Sequence, residues 1–463
     1  MISTPVIWIV FPMCMAILLW FLRRYRLVVV IIAVTACLFL AMSAWILPFS
    51  GMAKVGPLVM EVTATLSILG RRFILLEGDR FLLIFLYSLG AFWFLGEGVL
   101  RKNRNFIPLG LAIISLSVAA LAVDPFLYSA LIIEIIVLIS IPMLLPPGSR
   151  VGQGVMRYLV FQTIAMALML LAGWAAEGVD TNPNDTALTA LALIFLGLGV
   201  MFWMGVFPFH TWIPQMVSEV YPYQAGFLLN FLPLVIMLMA LDFLNGFGWL
   251  RNYSGLTQVC QFAGAITVAA GGIWSAFEHK LNRYMGFCLI VETGFSLLAL
   301  SLQSTTGYQI YVTLFLPRTL FIALWSLAMS NLELEDLDYD HLAGVMNTKP
   351  VESITLLVAS FSVSGLPLLG FFPLRQTLFE NLAQISLPTA LWCFAGALGL
   401  MAGSVRILLA FIASPTEGTP QISDWRVILL LVLGILLLVL VGLFPQWFVS
   451  PLFNLLNAFG NLV

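Results

Sequence analysis

Charge is scarce in this sequence, and its scarcity excludes most classes of protein. Only 9% of the 463 residues are charged, 61% are hydrophobic, and the mean hydropathy is +1.05. Because soluble domains carry about 25% charged residues, we predict a polytopic membrane protein. The formal net charge of −2 provides no basic face, which excludes a nucleic-acid partner.

Cofactor-binding motifs are also missing. No two cysteines stand at metal-ligand spacing, so we predict that all are small core residues and that the chain holds no metal. The five cysteines are Cys14, Cys37, Cys260, Cys288 and Cys393. The sequence has neither a P-loop nor a dinucleotide-binding fingerprint, and we expect no cofactor in this chain. Only three histidines occur, and the predicted membrane spans contain no lysine.

Long apolar runs dominate the sequence, and a spanning helix needs about 20 apolar residues. They predict an all-α integral membrane protein with about 14 transmembrane helices. The segments lie near residues 5–22, 27–48, 81–99, 106–123, 125–145, 155–175, 187–206, 222–244, 255–276, 284–302, 307–331, 350–372, 385–412 and 427–449. Residues 51–70 are only moderately apolar and are expected to form an extramembrane hairpin or a surface helix. Residues 6–22 lack a preceding basic segment and a following cleavage site, so they predict a retained helix and not a signal peptide.

Two predicted helices are interrupted. The seventh leads into Phe207-Pro208-Phe209-His210-Thr211-Trp212-Ile213-Pro214-Gln215, and the twelfth contains Gly365-Leu366-Pro367 and Gly370. Proline lacks a backbone donor and clashes one turn back, and irregular backbone at membrane depth survives only where it lines protein or water. Broken helices five apart in helix count predict two inverted five-helix repeats with an ion path near the membrane midplane.

This pattern divides the chain into four parts. They are helices 1–3 with the extramembrane hairpin (residues 1–105), a first repeat of helices 4–8 (106–245), a second repeat of helices 9–13 (255–412) and a C-terminal helix (427–463). Loops after odd-numbered helices hold most of the basic residues, among them Arg23, Arg101 and Lys280. The positive-inside rule therefore predicts that both termini lie on the outer side, and the expected location is the cell inner membrane.

Ionisable side chains inside the spans need a reason, because a charge at the bilayer centre costs about 2.5–3.5 kcal/mol on insertion scales. Glu134 lies in an apolar sequence, so it must face the bundle interior, either as a proton-titrating or ion-pairing carboxylate or as a carboxyl kept neutral by its surroundings. Glu292 lies in another apolar helix, and Arg318, one helix later, is its expected partner. An arginine does not deprotonate in practice, so it can pair with a carboxylate but cannot relay a proton.

Three more groups complete the set of candidates. Arg375 and Glu380 follow the second break; being five residues apart, they lie on nearly opposite helix faces. His210 is either a proton carrier or a structural donor to the carbonyls that Pro208 and Pro214 leave exposed.

The interrupted stretches resemble a known family. Phe207 to Gln215 is similar to the Pro-Φ-His-x-Trp-x-Pro-Asp signature of the antiporter-like subunits of respiratory complex I (N, M and L types). The superfamily includes Mrp-type cation/proton antiporter subunits and membrane-bound hydrogenases. Lys280-Leu-Asn-Arg-Tyr-Met-Gly-Phe, followed by Glu292-Thr-Gly-Phe295, and Ser364-Gly-Leu-Pro-Leu-Leu-Gly-Phe-Phe372 are similar to two further family segments. The resemblance covers about residues 100–410.

The resemblance implies two inverted five-helix repeats, each with half a proton channel, and a relay of protons through lysines and glutamates along a central axis. Glu134 matches the glutamate of the family's helix 5. Three relay positions depart from the pattern, because Trp203, Asn230 and Leu374 occupy them, and Glu292 replaces the helix 10 histidine. The sequence is identified as a divergent member that lacks the usual relay lysines.

Residues and resemblance together predict a membrane subunit of a complex I-type complex that takes part in proton translocation coupled to electron transport. No catalytic site is expected in this chain, and redox chemistry would reside in partner subunits. The expected partners are other membrane-arm subunits and the bilayer. A non-pumping structural subunit and an Mrp-like cation/proton antiporter component remain alternatives.

Overall fold

A computed structural model describes residues 2–55, 58–68, 70–145, 148, 151–182, 185–332, 334, 337–413 and 424–462. Nearly all of this part of the chain is helical. The α-helices are α1 (Phe11–Leu22), α2 (Arg26–Ile46), α3 (Arg80–Leu100), α4 (Phe106–Ala122), α5 (Ser129–Leu144), α6 (Gln153–Thr181), α7 (Thr186–Met204), α8 (Trp212–Glu219), α9 (Pro222–Gly246), α10 (Gly248–Arg251), α11 (Ser254–Phe277), α12 (Leu281–Ser301), α13 (Thr305–Thr313), α14 (Phe315–Leu332), α15 (Val345–Thr348), α16 (Pro350–Ser364), α17 (Phe372–Ile385), α18 (Leu387–Ile412), α19 (Trp425–Leu443) and α20 (Pro445–Phe453). A π-helical turn, Val6–Val10, precedes α1, and short 3₁₀ turns lie at Glu77–Asp79, Phe126–Tyr128, Tyr339–His341 and Asn454–Ala458.

The helices coincide with the apolar segments of the sequence. Within the described residues, 10 helical segments are long and apolar enough to cross a membrane, and four further predicted segments coincide with the shorter apolar helices Val6–Leu22, Phe106–Ala122, Ser129–Leu144 and Pro350–Ser364. The all-helical membrane fold is therefore confirmed. The count of fourteen crossings stays a prediction, because a helix of 10–17 residues falls short of the usual spanning length.

The short strands lie in two small sheets. Strands β1 (Ile2–Ser3), β2 (Gly51–Val55) and β3 (Leu58–Thr63) form one, and β4 (Thr65–Ile68), β5 (Arg71–Ile74) and β6 (Val123–Asp124) form the other. Strands β2 and β3 pair antiparallel and form a hairpin; residues 56, 57 and 69 lie outside the described residues, and the extramembrane position of the hairpin stays a prediction. The alternative of a surface helix was wrong.

Three central elements form the middle of the bundle. In α9, α12 and the α13–α14 pair, 89%, 94% and 94% of the apolar window is buried, compared with 22% in α7. A helix that is apolar on every face lies either in a protein core or in lipid; α9, α12 and the α13–α14 pair are packed by protein, whereas few side chains of α7 are fully buried. These central helices therefore hold ionisable side chains, Glu292 and Arg318, that cannot reach water or lipid headgroups directly.

The first break replaces a helix end with a turn and a short helix. Gly205 ends α7 in the left-handed conformation (φ 63°), which favours glycine because it has no Cβ. The chain then turns through Phe207 and His210 and resumes as α8, with Pro214 in its first turn, where a missing N–H costs little. The Phe207 amide donates to Thr267 Oγ1 of α11 (3.2 Å). The break is thus lined by protein that satisfies its backbone, as membrane depth requires.

The second break has the same construction. Gly365 ends α16 with φ 86°, the turn passes through Pro367, and α17 begins at Phe372 with a proline in its first turn. Gly370 packs against α19, since a Cβ there would lie 3.0 Å from Leu438 Cδ1. Both predicted helix breaks are present. The predicted spans stop at residues 206 and 372, so the sequence missed the half-helices α8 and α17 that follow the breaks.

A third interruption was not predicted. The segment expected as one helix over 307–331 divides at Leu314 into α13 and α14. Pro317 explains the site of division, because its ring clashes with the carbonyl four residues earlier, at Thr313.

The cysteine prediction was wrong at one position. Cys14 is exposed, whereas the other four cysteines are buried. Lipid is as apolar as a protein core, so an apolar sequence alone does not distinguish a side chain that faces the bundle from one that faces the bilayer.

Candidate functional site: a buried glutamate with two arginines

A buried ion pair joins α12 to α17. Arg375 Nη2 donates to Glu292 Oε1, and both side chains are almost fully buried, with 3% and 1% of their surface exposed. Sequence reasoning offered Arg318 as the partner of Glu292; the hydrogen-bonded partner is Arg375 instead, and Arg318 acts on the same carboxylate through its charge. The arginine that binds Glu292 comes from the half-helix after the second break.

The second break shapes the pocket for Arg375. A Cβ on Gly365 would lie 3.3 Å from Arg375 Nη1, so the glycine both permits the positive φ and leaves room for the guanidinium. The Arg375 guanidinium carbon lies 4.3 Å from the Phe295 ring centroid and 5.4 Å from that of Phe371. These aromatic faces attract the cation and hold it against Glu292.

Arg318 supplies a second buried cation. It is 5% exposed and lies within electrostatic range of Glu292. Its Nη1 donates only weakly, to the sulfur of Met237 at 3.9 Å. Among the described residues, Arg318 Nε and Arg375 Nε and Nη1 have no hydrogen-bond partner. The trio of Glu292, Arg318 and Arg375 therefore has unsatisfied donors, which ordered water could occupy.

A neutral polar contact extends the trio towards α9. Thr319 Oγ1 donates to Asn230 Oδ1 at 3.0 Å, and the Asn230 amide Nδ2 has no partner among the described residues. Asn230 stands where the resemblance places a relay lysine, and it is 2% exposed. The position keeps a buried polar group but loses the charge. Sequence reasoning missed Thr319, although a polar residue directly after Arg318 in an apolar helix was a signal that could have identified it.

Glu134 lies away from this trio, at the seam between α5 and α6. It is half-buried, and its Oε1 accepts from Thr163 Oγ1 at 2.7 Å, whereas Oε2 is buried without a partner among the described residues. Its expected orientation towards the interior is therefore only partly met. Trp203, at the position of the relay lysine, is 1% exposed, and its carbonyl accepts from Gln162 Nε2 at 3.2 Å. Because Trp203 is neutral, it cannot provide the positive charge with which the relay lysine would pair with Glu134.

His210 is held by aromatic rings. Its ring stacks on Trp274 of α11 with centroids 4.8 Å apart and on Phe207 with centroids 5.5 Å apart. It is 5% exposed, and Nδ1 has no hydrogen-bond partner among the described residues. Stacking fixes the ring in the first break, at a position remote in sequence from Glu134 and Glu292. The two expected roles of His210, proton carrier and structural donor to exposed carbonyls, both remain predictions.

The remaining candidates separate into buried and exposed positions. Leu374 is 9% exposed and packs in the apolar core beside Arg375. Glu380 is exposed and accepts from Gln376 of its own helix at 3.1 Å. The structure thus brings together Glu292, Arg318 and Arg375, and leaves Glu134, His210 and Glu380 at separate places. Among the described residues, no group of three or more His, Cys, Asp or Glu side chains could hold a metal ion.

Known proteins are similar to the chain in sequence. Residues 156–400, more than half of the chain, match the family described as NADH:quinone oxidoreductase/Mrp antiporter, TM. NADH-quinone oxidoreductase subunit N from Paraburkholderia phymatum is 25% identical over 472 residues, covering 89% of this chain and 86% of the relative. NADH-ubiquinone oxidoreductase chain 2 from Lycodon semicarinatus is 25% identical over 307 residues, covering 64% and 83% respectively.

Solved structures share the fold. A chain of the Mrp complex from Dietzia sp. DQ12-45-1b has a TM-score of 0.80 at 14% identity, over 99% of this chain and 97% of that chain. A chain of respiratory complex I from Thermus thermophilus has a TM-score of 0.78 at 18% identity. A chain of the membrane-bound sulfane sulfur reductase, an archaeal respiratory membrane complex, has a TM-score of 0.82 at 14% identity. Each match covers 99% of both chains. The match over residues 156–400 includes all three residues of the buried trio and confirms the resemblance. The chain therefore belongs to the NADH:quinone oxidoreductase/Mrp antiporter family of multi-pass membrane proteins.

Proposed function

We propose that this chain is an antiporter-like subunit of an NADH:quinone-type membrane complex and that it takes part in proton translocation through Glu292. The observation that carries the proposal is the buried trio: a carboxylate between two arginines, with unpartnered donors around it. Ionisable groups inside a membrane are costly and mark ion and proton paths. Glu292 is the member of the trio that can exchange a proton, because arginine does not deprotonate in practice.

With this trio, the proton relay would differ from the relay through lysines that the family resemblance implies. Here the relay lysines are replaced by Trp203, Asn230 and Leu374, so a proton would pass by way of water and Glu292, with the arginines setting the charge around it. Glu134 and His210 would serve the first repeat and Glu380 the exposed end of α17. Redox cofactors would lie in partner subunits.

The two-repeat organisation is part of the proposal. Helix α4 contacts α5 and α9 in the way that α11 contacts α12 and α18, and each set holds a helix that ends in a left-handed glycine and resumes as a half-helix. This supports repeats over residues 106–245 and 255–412, flanked by residues 1–105 and 427–463. The basic loops support an inner-membrane location with both termini on the outer side.

The test uses membrane vesicles that contain the whole complex and oxidise its electron donor, NADH first. Acidification of the vesicle lumen, measured with a pH-sensitive dye, is divided by the rate of oxidation. Glu292→Gln and the pair Glu292→Gln/Arg375→Met should both lower this ratio. The pair keeps the wild-type excess of one positive charge, so it separates loss of the carboxyl group from charge imbalance. Glu177→Gln removes an exposed carboxylate of α6 that has no place in the proposed path, so it is the control and should leave the ratio unchanged.

A structural role is the second candidate. Three neutral relay positions and two non-titrating arginines favour a subunit that holds the membrane arm together without passing protons. In that case every variant that assembles would keep the wild-type ratio of acidification to oxidation, and the proposal of proton translocation through Glu292 would be rejected. A ratio that changes with a sodium gradient would instead support an Mrp-like antiporter component.

A further inference from the structure

A large apolar cavity lies beside the buried trio, between α7, α9, α11 and α12. Its volume is about 460 Å³, and its walls include Gly197 of α7, Phe243 of α9, Val259 of α11 and Leu297 of α12. This volume falls in the range of about 300–1,000 Å³ that is usual for ligand pockets. It is also about three times the engineered cavity of about 150 Å³ that binds benzene.

Three of the four hydroxyl groups in the wall are already engaged, and the fourth, on Tyr253, belongs to a side chain that is 42% exposed. Thr293 donates to the Leu289 carbonyl (3.0 Å), Ser296 to the Glu292 carbonyl (3.0 Å), and Tyr311 to the Met237 carbonyl (3.0 Å). A buried water needs two to four polar partners, and these walls do not provide them. The chemistry of the cavity therefore selects a hydrocarbon ligand.

The cavity opens towards the bilayer. Ile194 and Val259 both line it, and they are 54% and 57% exposed on the outer surface of the helix bundle. These residues belong to the apolar windows of two candidate membrane spans. The material that meets this opening in a membrane is lipid hydrocarbon.

A cation stands at one end of the cavity. Arg251, at the end of α10, donates from Nη1 to the carbonyls of Leu244 (2.9 Å) and Asn245 (2.6 Å), the last carbonyls of α9. Leu244, Leu250 and Tyr253 line the cavity. The guanidinium is thus fixed beside the cavity at the helix ends, where phosphate groups of lipids lie, and an arginine fork suits a phosphate.

We propose that one acyl chain of a bilayer phospholipid occupies this cavity, with the lipid phosphate at Arg251. The inner end of the chain then reaches Met237, whose sulfur accepts from Arg318. The lipid would shield Arg318 and Glu292 from water that enters between α7 and α11. This proposal of a lipid site does not depend on proton translocation through Glu292, so either proposal can be refuted without refuting the other.

The test fills the cavity from its wall. A Cβ on Gly197 would meet no heavy atom within 4 Å, so Gly197→Trp places an indole in the cavity without moving the backbone. Leu191→Trp is the matched control, because Leu191 lies on the same helix, is 41% exposed, and does not line the cavity. The intact complex is purified in mild detergent, and phospholipid per complex is quantified by mass spectrometry after extraction.

We expect Gly197→Trp to lose one phospholipid per complex relative to both wild type and Leu191→Trp. Arg251→Gln keeps donors for the α9 carbonyls but removes the charge, and it should lose the same lipid without adding bulk to the core. Equal phospholipid content in all four proteins would refute the proposal. So would loss of an isoprenoid quinone from Gly197→Trp with no change in phospholipid.

Discussion

Replacing Glu292 with glutamine should destabilise the protein more than removing either arginine. The wild-type trio holds two buried cations, Arg318 and Arg375, and one buried anion, Glu292. Removing one partner of a buried ion pair costs about 3–5 kcal/mol, because the other charge stays in the interior without compensation. Glu292→Gln leaves both arginines uncompensated, so we expect a loss at the upper end of this range.

The arginines should differ from each other. Arg375→Met leaves Glu292 within electrostatic range of Arg318, so one cation still faces one anion and the loss should be smaller than for Glu292→Gln. Arg318→Met leaves the Glu292–Arg375 pair intact and removes a guanidinium that donates weakly to the sulfur of Met237. Replacing a buried charge by an apolar side chain of similar size can be neutral or stabilising, and we expect stability near or above that of wild type.

Cysteine labelling provides the assay. Four of the five cysteines are buried, so a thiol-reactive fluorophore reports unfolding during heating. A Cys14→Ser background removes the exposed thiol. The expected order of Tm is Glu292→Gln lowest, then Arg375→Met, then wild type and Arg318→Met. A Glu292→Gln protein as stable as wild type, or Arg318→Met below Arg375→Met, would refute the charge balance described above.

Three further predictions concern the helix ends and the first break and use the same melting assay. Asp185→Ala removes the side chain that accepts from the amides of residues 187 and 188 at the start of α7. It should lower the free energy of unfolding by about 1 kcal/mol, and Asp185→Ser should restore most of this stability. Gly286→Ala places a Cβ 2.6 Å from the α8 backbone and should cost about 1–3 kcal/mol, whereas Gly197→Ala, with open space at its Cβ, should not destabilise. Thr267→Val removes the acceptor for the backbone of the first break and should cost about 1–3 kcal/mol; a Thr267→Ser protein that melts as low as the valine variant would contradict this.

The helical fold could be predicted from the sequence because hydropathy and proline are local signals. Apolar runs gave the helices, and Pro208 and Gly365 marked the two breaks. Where the chain continues after a break was harder to predict, because α8 and α17 are short and partly polar. Their helical state depends on packing, as at Gly286, where α12 comes close to the α8 backbone.

The partner of Glu292 could not be predicted for a different reason. Sequence reasoning favoured Arg318 because it lies one helix after Glu292, and no local pattern gives the distance between helices. The turn from Gly365 to Phe371 brings α17 back into the bundle and places Arg375 against Glu292. Glu134 shows the same limit, since its apolar neighbours in sequence predicted a fully interior position and the side chain is half-buried.

The charge of the trio has a consequence for leakage of small ions through the bundle. Two arginines and one glutamate leave one positive charge in excess near the middle of α12 and of the α13–α14 pair. A sodium or potassium ion about 4 Å from that charge would be repelled by about 4 kcal/mol at an effective dielectric constant of about 20, which lowers its occupancy roughly a thousandfold. Fixed arginines exclude cations from other selective pores in this way. The centre would therefore keep the membrane sealed to metal cations, at a position where the bundle could otherwise admit water.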